Sequence, residues 1–486
     1  MKHYYMMYSF TLTRKGCWIK LDKSNVDELD KILKKYFSLR YTNKTTKITS
    51  IMKNYFIDSG KLYLPRFKVL ELINQKKIDG SIKNKLKLQN VNENINYIGK
   101  SNKNQLLVID HLMNNIYNRD NGTILKMMAG SGKTYLAMDL IGRMKQKTLI
   151  IVPNTYLLEQ WYELIQMFFP NVVIGRYYSK YKEDGDIVIA IVNSIVITKT
   201  LDFNHFGLCV LDECHMYCTK TFKTIYNKIN FYYMLGLSAT PDIRVDGYDK
   251  VSETNIGDVL DVETLDGYDK LDNTFLSTVY SLFYNGPDEY TETIVNDKTG
   301  MVDTISIISN LIVDPHRNNL VIEQINKLLK LESNIFVFSD RRGHLEELFN
   351  LFLESCENTD IKINVSIPEL TKSQILYGGS KKESIEMAKN ESSVIFTTYK
   401  YSSTGVSINR LTGLILATPR RSNMIQIINR IFRQSDEYRS IHRYIIDIVD
   451  NKTVLKNQYY TRKQAYKERE SIIIESKIDF MKMKMK

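Results

Sequence analysis

Four apolar runs stand out in the first half of the chain: TLIIVP (148–153), DIVIAIV (186–192), FGLCVLD (206–212) and YMLGLSAT (233–240). Each is too continuous for a strand with one wet face, and reads as a strand buried on both sides. Between them the apolar positions recur at helical spacing. Strands alternating with helices from 105 to about 245 predict βαβ units and a parallel sheet. A polar, aspartate-rich stretch at 242–300 breaks the pattern. It resumes with NIFVFSD, SVIFTTY, GLILAT and YIIDIVD, which predict a second α/β sheet over about 305–450.

Ahead of both sheets, YSFTL, CWIKL and KLYLPRF alternate beside an amphipathic VDELDKILKKYF, which predicts a small α+β domain. The lysine- and asparagine-rich text at 81–104 reads as a linker. The end, QYYTRKQAYKERESIIIESKIDFMKMKMK, reads as a charged helix or a frayed tail. The expected divisions are 1–95, 96–270, 271–455 and a charged helical tail over 456–486. No fixed-period repeat is present.

Composition narrows the picture. The 486 residues carry a formal charge of +12, and a basic excess favours a polyanionic partner such as nucleic acid. The wealth of lysine, asparagine, isoleucine and tyrosine also fits an AT-rich genome. No apolar run reaches the ~18 residues of a membrane-spanning helix, so no membrane partner is expected. The N-terminal text shows no secretory pattern. The five cysteines are scattered, which argues against a disulfide framework, and Cys214 and Cys218 lack the second pair a zinc site would want. A cytoplasmic location follows as the expectation.

Candidate chemistry begins at MAGSGKT (128–134). Gly130, Ser131 and Gly132 let the main chain approach a phosphate and aim N–H groups at it. Lys133 reaches the β- and γ-phosphates, Thr134 can ligate Mg²⁺, and the following helix offers its positive end. The longer form of this pattern wants glycine at 127, where the chain has Met127. A second element is the apolar strand ending in Asp212 and Glu213. Strand ends of open α/β sheets are where ligands bind; there Asp212 can hold Mg²⁺ through its water shell, and Glu213 can orient and deprotonate a water. A bland alternative is a helix start with first-turn negative charge. A third element is GLSATP (236–241), whose Ser238 and Thr240 can hydrogen-bond His215 or the acids. A fourth is QIINRIFR (426–433), where Gln426, Arg430 and Arg433 share one helix face. Two arginines aimed at a cleft between the sheets would neutralise a γ-phosphate in the transition state.

This ordered set resembles the superfamily 2 helicases of the DExH (DECH-box) type over about 105–450. The resemblance implies two tandem RecA-like parallel-sheet domains behind the small α+β N-terminal domain, with ATP and Mg²⁺ between them and a nucleic-acid strand gripped across their tops. It implies Gln105 beside adenine, GSGKT as the phosphate loop, and IVPN (151–154) with the Ser194 region as strand contacts. DECH, SAT, TGVSI (404–408, with Gly405 toward ATP) and QIINRIFR complete it. His215 would couple hydrolysis to strand grip through Ser238 and Thr240. Asn429 stands where the family usually has glycine; asparagine tolerates left-handed backbone angles, so the turn is expected to survive.

DECH with a small N-terminal domain is most similar to two sets: the poxvirus-type helicases of large DNA viruses, which act in transcript release, and the phage branch-migration helicases. The expected activity is an ATP-dependent 3′–5′ helicase or translocase acting on DNA, in viral transcription or in repair. RNA polymerase or other transcription factors are candidate partners, and a viral factory or virion a candidate site. Two alternatives stay open here: an RNA (or hybrid) helicase, and a non-motor nucleic-acid-binding subunit.

Overall fold

A strand with branched apolar side chains on both faces is stable only between two covering layers, and that requirement organises the chain. The structure, a computed structural model, describes residues 7–22, 25–42, 49–117, 121–128, 130–198, 205–241, 247–269, 276–297, 300–357, 372–378, 380–402, 408, 410–420, 424–432 and 441–479. Two units are present, Met1–Lys270 and Leu271–Lys486.

The first unit opens with a small mixed layer. Its strands are β1 (Tyr8–Thr13), β2 (Gly16–Lys20), β3 (Ser38–Thr42), β4 (Thr49–Lys53), β5 (Phe56–Asp58), β6 (Lys61–Leu64) and β7 (Gly80–Asn84). Five of them form a sheet in the order β5-β6-β2-β1-β7, and β3 pairs with β4 separately. Helices Val26–Tyr36 and Arg66–Asn74 supply Leu29, Leu33, Val69 and Leu72 to a core shared with Phe10, Leu12, Ile19 and Leu62. Strand β7 lies inside the expected linker: it pairs in parallel with β1, Phe10 opposite Ile82.

This layer is docked on the next by buried polar contacts. Arg66, 3% exposed, donates to the carbonyls of Phe231 and Tyr232, each at 3.1 Å. Arg14 lies over the Phe231 ring, 4.4 Å from its centroid.

The large sheet of this unit contains β8 (Gly122–Lys126), β9 (Thr148–Val152), β10 (Ile174–Tyr178), β11 (Tyr181–Lys182), β12 (Ile187–Ile191), β13 (Leu208–Asp212), β14 (Tyr233–Ser238) and β15 (Val259–Asp261). Their order is β11-β10-β12-β9-β13-β14-β8-β15, parallel throughout except for the short edge hairpin β10–β11. Alternate side chains enter two cores. Ile150, Val210 and Leu235 pack under helices Lys133–Met144 and Thr155–Phe168; Leu149, Cys209 and Met234 pack on the other face with Met52 and Phe67 from the N-terminal layer. Ile150 is fully buried, and truncation to alanine there costs about 2–5 kcal/mol. The parallel arrangement brings the ends of β8, β9, β12, β13 and β14 to one edge.

The second unit is a sheet of β16 (Ser277–Asn285), β17 (Ile335–Ser339), β18 (Ser373–Leu376), β19 (Val394–Thr398), β20 (Gly413–Leu416), β21 (Arg443–Asp450) and β22 (Ile472–Asp479), ordered β18-β19-β17-β20-β21-β16-β22 and wholly parallel. Two of these strands differ from the sequence expectation. Within the stretch read as polar, Ser277–Asn285 is the longest strand among the described residues, flanked on both sides. Among the described residues the tail is α-helical over Asn457–Lys467, and Ile472–Asp479 adds an edge strand. Its β-branched start favours extension. Tyr459 and Lys463 of the preceding helix bond Glu475 at 2.6 and 2.7 Å and hold the two together.

Candidate active site

The glycine turn GSGKT leaves the end of β8 and runs into helix Lys133–Met144. Gly130 has φ 84° and Gly132 φ 85°, angles that side chains resist, and a Cβ at Gly132 would lie 2.6 Å from Gln105 Nε2. The need for glycine is conformational at both positions, and at Gly132 a side chain would also have to displace the Gln105 amide. Ser131 Oγ donates to the carbonyl of Met128 at 2.7 Å. Lys133 Nζ donates to the carbonyls of Met127 and Met128 at 3.1 and 3.2 Å, which draws the ammonium over the turn. Thr134 follows in the first helical turn, half-buried. Ala129 lies outside the described residues.

Gln105 sits in a reciprocal cap. The Asn102 side chain accepts from Gln105 N, and Gln105 Oε1 accepts from Asn102 N at 2.8 Å. Its Nε2 donates to Gly132 O at 3.2 Å. The structure thus places Gln105 against the loop itself.

Asp212 closes β13 on the same edge. Its Oδ1 accepts from Glu213 N at 3.0 Å and its Oδ2 from the indole of Trp161 at 2.9 Å. Burial holds the Asp212 carboxyl well above the ordinary carboxylate range, and the Glu213 charge adds to this; the Trp161 bond and Lys133 pull it back. Both oxygens are hard donors, and the Lys133 charge is felt at this carboxylate, so the pair suits a phosphate-bound divalent cation with oxygen ligands. Trp161 was not among the residues singled out from sequence. It lies on helix Thr155–Phe168, 1% exposed, and a tryptophan on an apolar helix face reads as core. Tyr217 also escaped notice; its hydroxyl bonds the carbonyls of Asp212 and Ile151 at 2.7 and 3.2 Å and ties β13 to β9.

Glu213 takes a left-handed backbone, φ 50° and ψ 46°, at a cost of about 1–2 kcal/mol for a residue with a side chain. That kink turns its carboxylate toward His215. Oε2 is buried, makes no hydrogen bond, and lies 3.3 Å from His215 Nδ1. A buried acceptor with spare capacity is what a proton-abstracting group needs. The same Nδ1 is 2.9 Å from Ser238 Oγ, and Ser238 Oγ accepts from Thr240 N at 3.1 Å. With Nδ1 bare, Ser238 donates to the imidazole. With Nδ1 protonated, the imidazole donates to Ser238 or leans on Glu213. The four residues therefore form one chain of contacts from the acid to the SAT turn.

Asn154 and Ser194 mark two further strand ends on this edge. Asn154 caps helix Thr155–Phe168 by accepting from Leu157 N at 3.0 Å. Ser194 lies in helix Val192–Ile197, whose last carbonyls are held by Lys228 Nζ.

In the second unit, Met424–Ile428 is helical and Arg430 follows it, half-buried. The side chain of Gln426, and Gly405 and Arg433 altogether, lie outside the described residues. Asn429 differs from expectation. Its amide donates to Ile425 O at 3.0 Å, continuing the helix, and it is absent from the positive-φ residues. Its side chain is buried and accepts a hydrogen bond from the Arg469 guanidinium. A held side chain, rather than a left-handed turn, accommodates the change from glycine.

The family described as Type III restriction enzyme, res subunit, matches residues 98–243. QP509L of African swine fever virus, provisionally named an ATP-dependent RNA helicase, is 31% identical over 366 residues, which cover 71% of this chain and 68% of the viral protein. The chain belongs to the superfamily 2 helicases. Enterobacteria phage T4 supplies a second relative of this helicase, the ATP-dependent DNA helicase uvsW, 25% identical over 362 residues, covering 70% of this chain and 68% of the phage protein. Among solved structures, S. cerevisiae Dbp5 bound to RNA and ADP BeF3 matches 80% of this helicase and 92% of its own chain, with TM-score 0.54 and 14% identity. That likeness concerns the fold, two RecA-like domains. The protein is thus an ATP-hydrolysing helicase whose partner is nucleic acid, and no helix among the described residues is long and apolar enough to cross a membrane.

Proposed function

We propose that the helicase is a 3′–5′ translocase that acts on DNA and serves transcript release or repair in a large DNA virus. DNA comes first because the DECH set behind a small N-terminal domain resembles helicases that work on DNA templates, and uvsW is named a DNA helicase. The name of QP509L favours RNA instead. RNA polymerase is a fitting partner, and a viral factory or virion a fitting site.

The roles combine the contacts around the glycine turn and Asp212 with, for Gly405, Gln426, Arg430 and Arg433, the family resemblance. The main-chain amides of Gly130–Lys133 and the Lys133 ammonium hold the phosphates of ATP. Thr134 and Asp212 hold Mg²⁺, which when bound draws charge from the phosphate oxygens. Glu213 takes the proton of the attacking water, and Trp161 keeps Asp212 aimed. Arg430 and Arg433 neutralise charge in the transition state, with Gly405 and Gln426 as further ATP contacts. His215, Ser238 and Thr240 relay the state of Glu213 to the strand grip, whose contacts are to phosphates and insensitive to sequence.

One observation carries this reading: Glu213 Oε2, buried without a hydrogen bond, stands beside an imidazole already latched to Ser238. The test is ATP hydrolysis and strand separation at matched salt on duplex DNA, RNA–DNA hybrid and duplex RNA, each with a 3′ or a 5′ tail. DNA-stimulated turnover with 3′-tail preference supports the proposal. Preference for duplex RNA moves the substrate to RNA, and inertness on all three leaves a non-motor binding subunit.

A further inference from the structure

The tail helix and the arginine-bearing segment are clasped together twice. Arg462 and Asp447, each about 1% exposed at the side chain, form an ion pair at 2.8 Å, joined by the Tyr466 hydroxyl at 2.7 Å. Arg462 also donates to the carbonyl of Arg420 at 3.0 Å, ahead of helix Met424–Ile428. Beyond that helix, Arg469 donates to Asn429 Oδ1 and lies over the buried Phe432 ring, 5.6 Å from its centroid. Arg469 itself is fixed by its main chain, which donates to Tyr466 O at 3.2 Å. Arg430 and Ile431 lie between these two contacts, Arg430 one step from Asn429 and two from Phe432.

We propose that Arg469 is a positioning residue for hydrolysis: its guanidinium, held by Asn429 on one side and Phe432 on the other, sets the direction in which the main chain presents Arg430. This rests on the role given to Arg430 above. The physical need is clear. Residues 429–431 follow the helix, and their main-chain N–H groups reach back to the carbonyls of Ile425, Ile427 and Ile428, so the turn is set while the Asn429 side chain needs a partner of its own. Asn429 is 3% exposed and requires a donor for its oxygen. A planar guanidinium supplies that donor and an aromatic contact together, which a lysine cannot. The clasp comes from the terminal segment, so a part of the chain remote from the sheet edge is drawn into the reaction.

The test compares full-length wild type, Arg469→Ala, Arg469→Lys, Asn429→Gly, Asn429→Gly with Arg469→Ala, and Arg430→Ala alone and combined with Arg469→Ala. ATPase constants at saturating nucleic acid are measured beside thermal unfolding. Arg469→Ala is expected to lower kcat about tenfold or more with KM for ATP within about twofold, the split expected when orientation rather than binding is lost. Arg469→Lys recovers little. Glycine at 429 removes the buried oxygen, so the double variant is expected to regain most of the lost rate. In the Arg430→Ala background, Arg469→Ala adds no further loss. A fall in kcat that tracks unfolding temperature, unrelieved by Asn429→Gly, overturns the inference, as does wild-type kcat in Arg469→Ala. Arg430→Ala at wild-type rate would instead remove the underlying role of Arg430.

Discussion

Trp161 donates its indole N–H to Asp212 Oδ2 at 2.9 Å inside the core of the first unit. A neutral donor on a buried carboxylate favours the ionised form, the form that binds a cation. Trp161→Phe keeps the aromatic bulk and removes the donor. The expected outcome is kcat down about tenfold, in keeping with the ~1.5–3 kcal/mol of a hydrogen bond to a charged group, with the Mg²⁺ needed for half-maximal turnover moved upward. An Mg²⁺ titration of ATPase rate checks this; an unchanged titration would assign Trp161 to packing alone.

Lys133→Ala and Glu213→Gln are expected to abolish nucleic-acid-stimulated ATPase, each by about 10³-fold or more. They differ in binding. The lysine variant loses ATP affinity because its ammonium meets the phosphates, whereas the glutamine variant keeps it. Equilibrium binding of a fluorescent ATP analogue, with circular dichroism to confirm the fold, separates the two. Normal turnover in either variant would reject its assigned role.

Ser238→Ala breaks the latch to His215 Nδ1 and leaves Glu213 in place. Hydrolysis is expected to persist within a few-fold, while base pairs separated per ATP fall about tenfold, because the relay and not the chemistry is cut. Stopped-flow unwinding against phosphate release measures the ratio. Equal loss of both rates would place Ser238 in the chemical step.

The second unit repeats the serine–imidazole pair at the end of β17, sealed in the core. Arg341 N donates to Ser339 Oγ, Ser339 pairs with His344 Nδ1 at 2.9 Å, and His344 Nε2 bonds Asn318 Oδ1 at 2.9 Å. Asn318 Nδ2 donates to Ile312 O, which fixes its amide, so Nε2 carries the proton and the ring is neutral. Burial, with Arg317 nearby, lowers the His344 pKa to about 3. An unfolded histidine titrates near 6.5, so only the unfolded chain takes up this proton between those values. Stability from this group is whole above about pH 6.5 and is lost as pH falls toward 3, by about 2 kcal/mol at pH 5. Thermal unfolding of wild type and His344→Gln from pH 7 to 5 is expected to show a shallower slope in the variant; parallel slopes would refute it.

What could be read from the sequence depended on how each element earns its burial. Thr148–Val152, Ile187–Ile191 and Leu208–Asp212 announce themselves because a parallel strand covered on both faces has no polar position to hide behind. Ser277–Asn285 escaped because serine, threonine and tyrosine alternate within it, although Ser281 is fully buried. Ile472–Asp479 was masked by Glu475 and Lys477, charges that an edge strand tolerates in water. At the site, glycine, lysine and paired acids carry their chemistry in their side-chain types. Trp161 and Arg469 act through partners 51 and 40 residues away, and pattern along the chain does not encode that pairing.

Strand β16 emerges from the ribosome long before either neighbour. The contacts at its start reach His442 and Ser471, 164 and 194 residues onward. A nascent helicase therefore holds this largely buried strand without its lattice until about 194 further residues have been made. Loss of strand Ile472–Asp479 would expose one flank of it for good, and a product lacking that strand should collect in inclusion bodies.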